Sequence, residues 1–411
     1  RLIRRTRHAV LGTARRRRNK EMDIEDLDQI TECGPFEVQP SALKGRSMRF
    51  TGVPGLPVHD QDSWAARATA RSDLRAAGWK TEDFAKPVIT VAVPWSNAVP
   101  CNSQLRSLGD EIVALLDARG AKSVVAAAPV VSDGMTNGCE AMRYSLPSRD
   151  LIADCVETTH EAFFSDACIA LCGCDKTVPG VMLALARTNA TGIIVYGGTA
   201  LPPTDPSHLC AAGKPPPRFE DVGEATGAMA CREIDAAQLH AVECTFRLGA
   251  GSCAGFFTAN TMAAMCEALG LSLPGSATGP AIDDRAADAI SAGKHDEAAR
   301  ASDALLQLLA RGVRTSDILT RPAFENAIVT LYALGGSSNS VLHLLALARA
   351  AGVPLALDEF PRIGGRVPLL SNLSPHGPYW VADLHAVGGV PLVLKELLTA
   401  GLLHGDTLTV T

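Results

Sequence analysis

Pro87-Val-Ile-Thr-Val-Ala-Val93 is a short β-branched run with no apolar/polar alternation, the pattern of a strand buried on both faces. A helical pattern follows over about Gln104 to Arg119, and the unit then repeats. Ser123-Val-Val-Ala-Ala-Ala-Pro-Val-Val131 reads as the next strand and Arg149 to Phe164 as a helix. Ala167-Cys-Ile-Ala-Leu-Cys172 and Gly192-Ile-Ile-Val-Tyr196 read as further strands. Strands alternating with helices predict an α/β fold: a doubly wound parallel sheet flanked by helices. Past a Pro/Gly-rich stretch, LPPTDPSHLCAAGKPPP (201–217), mostly helical segments run from about Asp221 to Ala351.

The 411 residues are 47% hydrophobic and 20% charged. That is too apolar for a disordered chain and long enough for a large core. The reading divides them into a basic, poorly structured arm (1–65), an α/β domain (66–351) and a stretch leading into a further domain (352–411). The most apolar segment, Val181 to Gly198, is interrupted by Arg187, Thr188 and Asn189, so no membrane span is predicted. A chain that opens on Arg1 and closes on Thr-Leu-Thr-Val-Thr411 is expected to be a piece of a longer polypeptide.

Net charge is −6, but the first 20 residues hold nine Lys and Arg and no acid, leaving −15 on the other 391. An acidic body excludes a nucleic-acid footprint across the fold. The Arg-rich arm has two readings, the remnant of an organellar (plastid or mitochondrial) transit peptide or a solvated tail. Twelve cysteines at irregular spacing do not make a secreted disulfide scaffold, and most are read as small core residues. Among the ten histidines no zinc-type pairing occurs.

Ligands of open α/β sheets bind beyond the carboxyl ends of the strands. Three polar loops stand there: Trp95 to Asn102 with Cys101, Ser132-Asp133-Gly134-Met135, and Gly173-Cys174-Asp175-Lys176-Thr-Val-Pro-Gly180. A thiol, a carboxylate, and a thiol–carboxylate–amine trio aimed at one edge suggest a soft metal centre beside a hard, oxygen-liking cation. A fourth segment, Gly249-Ala-Gly-Ser-Cys253-Ala254, mimics a dinucleotide loop, but no β-branched strand precedes it. It reads instead as a glycine turn that sets Cys253 near a helix N-terminus, where a thiolate is favoured. Cys168 and Cys172 share strand parity with Cys174 and are read as core. Taken alone, Asp133 would be a turn residue and Lys176 a surface lysine.

Together these segments become recognisable. PCN (100–102), SDG (132–134), RYSLPSRDLIADCVE (143–157), GCDKTVPG (173–180), GAGSCAGFFTANTM (249–262) and SLPGSA (272–277) resemble the dihydroxy-acid dehydratase family, which also contains sugar-acid dehydratases. So do ALGGSSNSVLHLLALA (333–348) and DLHAVGGVPLVLKELLTAGLLHGDTLTVT (383–411). The resemblance runs from about Arg71 to the last residue. It implies an iron–sulfur cluster, of the [2Fe–2S] kind where PCN carries Cys, held by Cys101, Cys174 and Cys253. It implies Mg²⁺ at Asp133, Asp175 and Lys176, the lysine as a carbamate; carbamylation needs a neutral amine, which burial of a lysine favours. Three cysteines in place of four would leave one iron open to a substrate hydroxyl.

The implied activity is that of a hydro-lyase: dehydration of 2,3-dihydroxy-3-methyl-branched acids to 2-oxo acids in valine and isoleucine biosynthesis, by a homodimer. Mg²⁺ would hold the carboxylate and C2 oxygen, and the cluster would act as Lewis acid on the C3 hydroxyl. Alternatives are a sugar-acid (aldonate) dehydratase and a non-catalytic fragment that keeps the fold. The family's second, β-rich domain, with another Mg²⁺-binding Glu and the serine base, has no counterpart in these residues. No catalytic base is therefore assigned here, and the chain alone is expected to be inactive. Two departures from the family pattern are Phe256-Phe257, expected to reshape the pocket, and Asn137, where Met is usual.

Overall fold

β1 (Val88–Pro94) is buried at every position, because it lies inside the sheet with a strand on each side and helices over both faces. It pairs in parallel with β2 (Lys122–Ala128) and with β3 (Ala167–Cys172), Val91 standing opposite both Val125 and Ile169. β4 (Thr191–Tyr196) extends the parallel sheet beyond β3, giving the order β2-β1-β3-β4. β2 is the edge strand and half of Val125 is exposed, whereas β3 and β4 are buried throughout. The computed structural model describes residues 67–203, 222–246, 249–283 and 289–411, all within one compact unit, Leu43–Thr411. The basic arm and most of the 201–217 stretch lie outside the described residues.

The chain passes from β1 outward to β2, then back past β1 to β3, so right-handed crossovers put successive helices on opposite faces. On one face α1 (Leu105–Ala118) turns Leu105, Leu108, Ile112 and Leu116 to the sheet at helical spacing. On the other lie α2 (Ser145–Ala162) and α3 (Thr177–Thr188). The region after the sheet contributes α4 (Thr258–Leu269), buried at all its positions, and α5 (Ala292–Arg311), which packs beside α1. Next come α6 (Arg321–Ala333), packed on α4, and α7 (Asn339–Ala350), packed on α3. Short helices at Glu359–Gly364, Val381–Ala386 and Gly389–Thr399 follow, and Val410 returns to the core by donating its N–H to Gly270 O at 3.0 Å.

Two boundaries differ from the sequence reading for simple reasons. β2 stops at Ala128 rather than Val131, since Pro129 has no N–H for the ladder. α2 begins at Ser145, four residues before Arg149, because Pro147 falls in its first turn, where proline is tolerated. On the outer edge of β4, Ile194 N donates to Leu271 O at 2.9 Å. Thr199 is bridged both to Ser252 and to Pro280. These pairings carry the Cys253 segment to the carboxyl edge of the sheet.

A buried charged network underlies the 272–277 turn. Glu267 on α4 accepts from Gly275 N at 2.8 Å and Ala277 N at 3.2 Å, while Lys294 Nζ lies 2.7 Å from Glu297 Oε2. Burial raises the Glu267 carboxyl from 4.5 to about 7. The folded state therefore holds this proton after the unfolded chain has lost it. Stability is expected to fall as pH rises from about 4.5 to about 7, by on the order of 2–3 kcal/mol. Urea unfolding across that range should show the slope in the wild type, and Glu267→Gln should flatten it.

Candidate metal centre

The strand order reverses between β1 and β3, the switch point at which open α/β sheets bind ligands. The loop after β1 brings Cys101 there. Asn102 anchors it by donating Nδ2 to Pro94 O at 2.8 Å, and Gln104 Nε2 reaches Gly197 O at 3.1 Å. The loop after β3 brings Gly173, Cys174, Asp175 and Lys176. The N–H groups of Gly173 and Cys174 donate to Thr177 Oγ1 at 3.0 and 2.8 Å, closing the turn into α3. The two loops nearly touch: a β-carbon on Gly173 would lie 2.0 Å from Cys101 O.

This contact buries both thiols together. The Cys174 thiol is hydrogen-bonded to Cys101, and that bond, followed by burial, holds it well above its ordinary range. A soft metal binding there would displace the Cys174 proton. Cys253 is half-buried and comes from the 249–255 turn. Gly251 in that turn has φ +124° and donates to Pro100 O at 3.0 Å, tying it to the Cys101 loop. Asn260 Nδ2 donates to Cys253 O at 2.6 Å and Gly255 O at 2.7 Å, and Tyr196 Oη donates to Asn260 Oδ1 at 2.7 Å. The Tyr196 hydroxyl feels the charges of both Cys101 and Cys253. Cys168 and Cys172 are buried within the sheet core; burial pushes the Cys168 thiol to about 12.

The hard donors gather beside the thiols. Lys176 is 5% exposed, so it is not a surface lysine. Its Nζ lies 2.5 Å from Asp133 Oδ2, and Ser145 Oγ donates to Asp133 Oδ1 at 2.5 Å. The Asp175 carboxyl is raised to about 6, first by burial, then by the charge of Asp133, with Lys176 opposing; the two carboxyls share a hydrogen bond. A divalent cation would replace that shared proton, the chemistry expected of paired carboxylates. The helix after Cys253 begins at Thr258, and its N-terminal Ala259 N–H is a hydrogen-bond donor to Asp175, so the helix dipole favours that carboxylate. Among the described residues no three His, Cys, Asp or Glu side chains form a ready cage for a metal ion. The donors stand as a thiol pair, a third thiol on a neighbouring turn, and a carboxylate pair with a lysine. That set suits a soft and a hard centre side by side.

A model of the dihydroxy-acid/6-phosphogluconate dehydratase N-terminal region matches residues 86–411. The chain belongs to this family. It is 47% identical over 347 residues to a dihydroxy-acid dehydratase of Methylococcus capsulatus, covering 84% of this chain and 59% of that relative. It is also 47% identical over 346 residues to one from Sulfurisphaera tokodaii, with the same shares. Against one from Chromohalobacter salexigens it is 45% identical over 345 residues, 84% of this chain and 57% of the relative. The chain thus spans less than two thirds of the length of these relatives.

Sequence reasoning quoted the family segments RYSLPSR and SVLHLL without giving Ser145, Arg149 or His343 a role. All three surround the Asp133–Lys176 pair: Arg149 Nη1 lies 3.4 Å from His343 Nδ1, and His343 feels the charges of Lys176 and Asp133. Nothing local marks these residues, because the helices that carry them meet only in the folded chain. Of the two phenylalanines that depart from the family pattern, Phe256 is in the main core and Phe257 stays half-buried. The tight passage at Gly173 gives a direct test. Gly173→Ala must force the Cys101 and Cys174 loops apart. It is expected to lower folding stability by more than about 2 kcal/mol and to reduce iron uptake in anaerobic reconstitution.

Proposed function

We propose that this chain is the metal-binding part of a hydro-lyase that converts 2,3-dihydroxy-3-methyl-branched acids to 2-oxo acids in valine and isoleucine biosynthesis. The observation that carries this reading is the run Cys174-Asp175-Lys176, which brings a thiol to Cys101 and a carboxylate and an amine to Asp133 at one sheet edge. The names of the relatives support it.

In this reading Cys101, Cys174 and Cys253 hold a [2Fe–2S] cluster, and Asp133, Asp175 and Lys176 as its carbamate hold Mg²⁺. Bound, the two groups supply Lewis acidity at opposite ends of the substrate's C2–C3 unit. The protein residues do the rest. Asp133 is oriented by Ser145, and Asp175 by the α4 N-terminus. The apolar wall formed by Val99 and Val130 around the thiols keeps water from the soft donors. The C2 proton is taken by a serine of the family's second domain. Water is lost from C3, and the enol that remains becomes the 2-oxo acid.

The family description also names a 6-phosphogluconate dehydratase, which favours a sugar-acid substrate as the second reading. A panel of dihydroxy and aldonic acids on the full-length protein separates the two. We further propose a homodimer, and an organellar address carried by the Arg-rich arm. Among the described residues no helix is long and apolar enough to cross a membrane.

Iron and acid-labile sulfide, measured after anaerobic reconstitution, test the metal reading. The chain is expected to gain a stoichiometric coloured cluster and Cys174→Ala to gain almost none. A colourless wild-type chain would contradict the reading and favour a non-catalytic protein that keeps the fold.

A further inference from the structure

His343 on α7 is 1% exposed, and its Nδ1 lies 3.4 Å from Arg149 Nη1. A guanidinium can only donate, so Nδ1 is the accepting nitrogen. Burial, with the charges of Arg149 and Lys176, pushes the imidazole down to about 3, so the ring is neutral. A neutral ring that accepts at Nδ1 carries its proton on Nε2. That Nε2–H is buried, and no side chain or backbone acceptor of the described residues reaches it. An unmatched buried donor is costly. The ring lies within electrostatic reach of Lys176 and Asp133, but Asp133 is already engaged at Oδ1 by Ser145 and at Oδ2 by Lys176. Asp150 holds the Nε and Nη2 side of the Arg149 guanidinium at 3.1–3.3 Å, which leaves Nη1 to the histidine.

We propose that Arg149 and His343 are positioning residues for an oxyanion carried on Lys176: Arg149 sets the tautomer of His343, and the Nε2–H of His343 donates to a carbamate oxygen. This rests on the reading of Lys176 as a carbamate-bearing cation ligand. In the step that makes it, the neutral Lys176 amine attacks the carbon of CO2. An N–C bond forms, one C–O π pair moves onto oxygen, and a nitrogen proton leaves to solvent, with no change of oxidation state. The product carries negative charge where the amine had none. A neutral donor and a neighbouring guanidinium favour that product over the free amine.

The experiment equilibrates the chain with Mg²⁺ and ¹³C-bicarbonate and reads the carbamate carbon by NMR as bicarbonate is varied. The wild type is expected to show a carbamate signal that Lys176→Ala abolishes. H343N keeps an acceptor near Nδ1 but has no Nε2–H; it is expected to raise the bicarbonate needed for half-occupancy about tenfold or more. H343Q places an N–H near the Nε2 position and is expected to stay within about threefold of the wild type. R149M, which frees the tautomer, is expected to shift in the same direction as H343N and keeps the test open if H343N does not fold. Wild-type bicarbonate dependence in folded H343N, or in R149M, overturns the inference. So does an H343Q as impaired as H343N, which would mark a packing role. A wild type without any Lys176-dependent carbamate signal overturns the carbamate reading itself, and is distinguishable because no variant is needed to see it.

Discussion

The close passage of two loops at the strand-order switch is the constraint on which the site depends. With no side chain at Gly173, the turn after β3 can lie against the Cys101 carbonyl, and Ser252 Oγ donates to the Gly173 carbonyl. Three segments far apart in the chain thus meet at one residue that has no β-carbon. The sheet supplies the rigidity. β1 and β3 are each buried on both faces and paired on both edges, so their carboxyl ends are fixed points from which the loops depart.

From that meeting point the chemistry divides by donor type. Thiols from the Cys101 and Cys174 loops turn toward the apolar Val99–Val130 wall. Asp175 and Lys176, the next two residues, turn toward Asp133 at the start of the short Asp133–Thr136 helix. A single tight turn into α3 can send consecutive side chains in different directions, so one β–α junction serves both a soft and a hard centre. The Cys174 thiol is raised by its hydrogen bond with Cys101 and by burial, and the Asp175 carboxyl by burial and the charge of Asp133; a bound cation would favour the charged form of each.

Much of this was legible in the sequence because it is local. The unalternating runs at 88–94, 167–172 and 191–196 are short enough to read as strands covered on both faces, and their parallel order follows from the helices between them. The CDK run directly follows β3 and the SDG turn follows β2, both at carboxyl ends of strands, as their sequence position implies. Contacts between distant segments were not legible. Arg149 and His343 stand 194 residues apart, and neither periodicity nor spacing brings them to Lys176. Four residues separate Cys253 from the start of α4 at Thr258, and it is Asp175 from another loop that accepts from the helix N-terminus. Boundaries shifted where proline acts through its missing N–H at Pro129 and through its tolerance of a first turn at Pro147.

The central claim is that two chemically different metal centres share one sheet edge. A crystal structure of the anaerobically reconstituted chain, soaked in Mn²⁺ as a stand-in for Mg²⁺, tests it most directly through anomalous scattering at the iron and manganese edges. The account predicts iron bounded by Cys101, Cys174 and Cys253, and manganese bounded by Asp133, Asp175 and Lys176. Iron away from the three thiols, or both metals on the same donors, would contradict it.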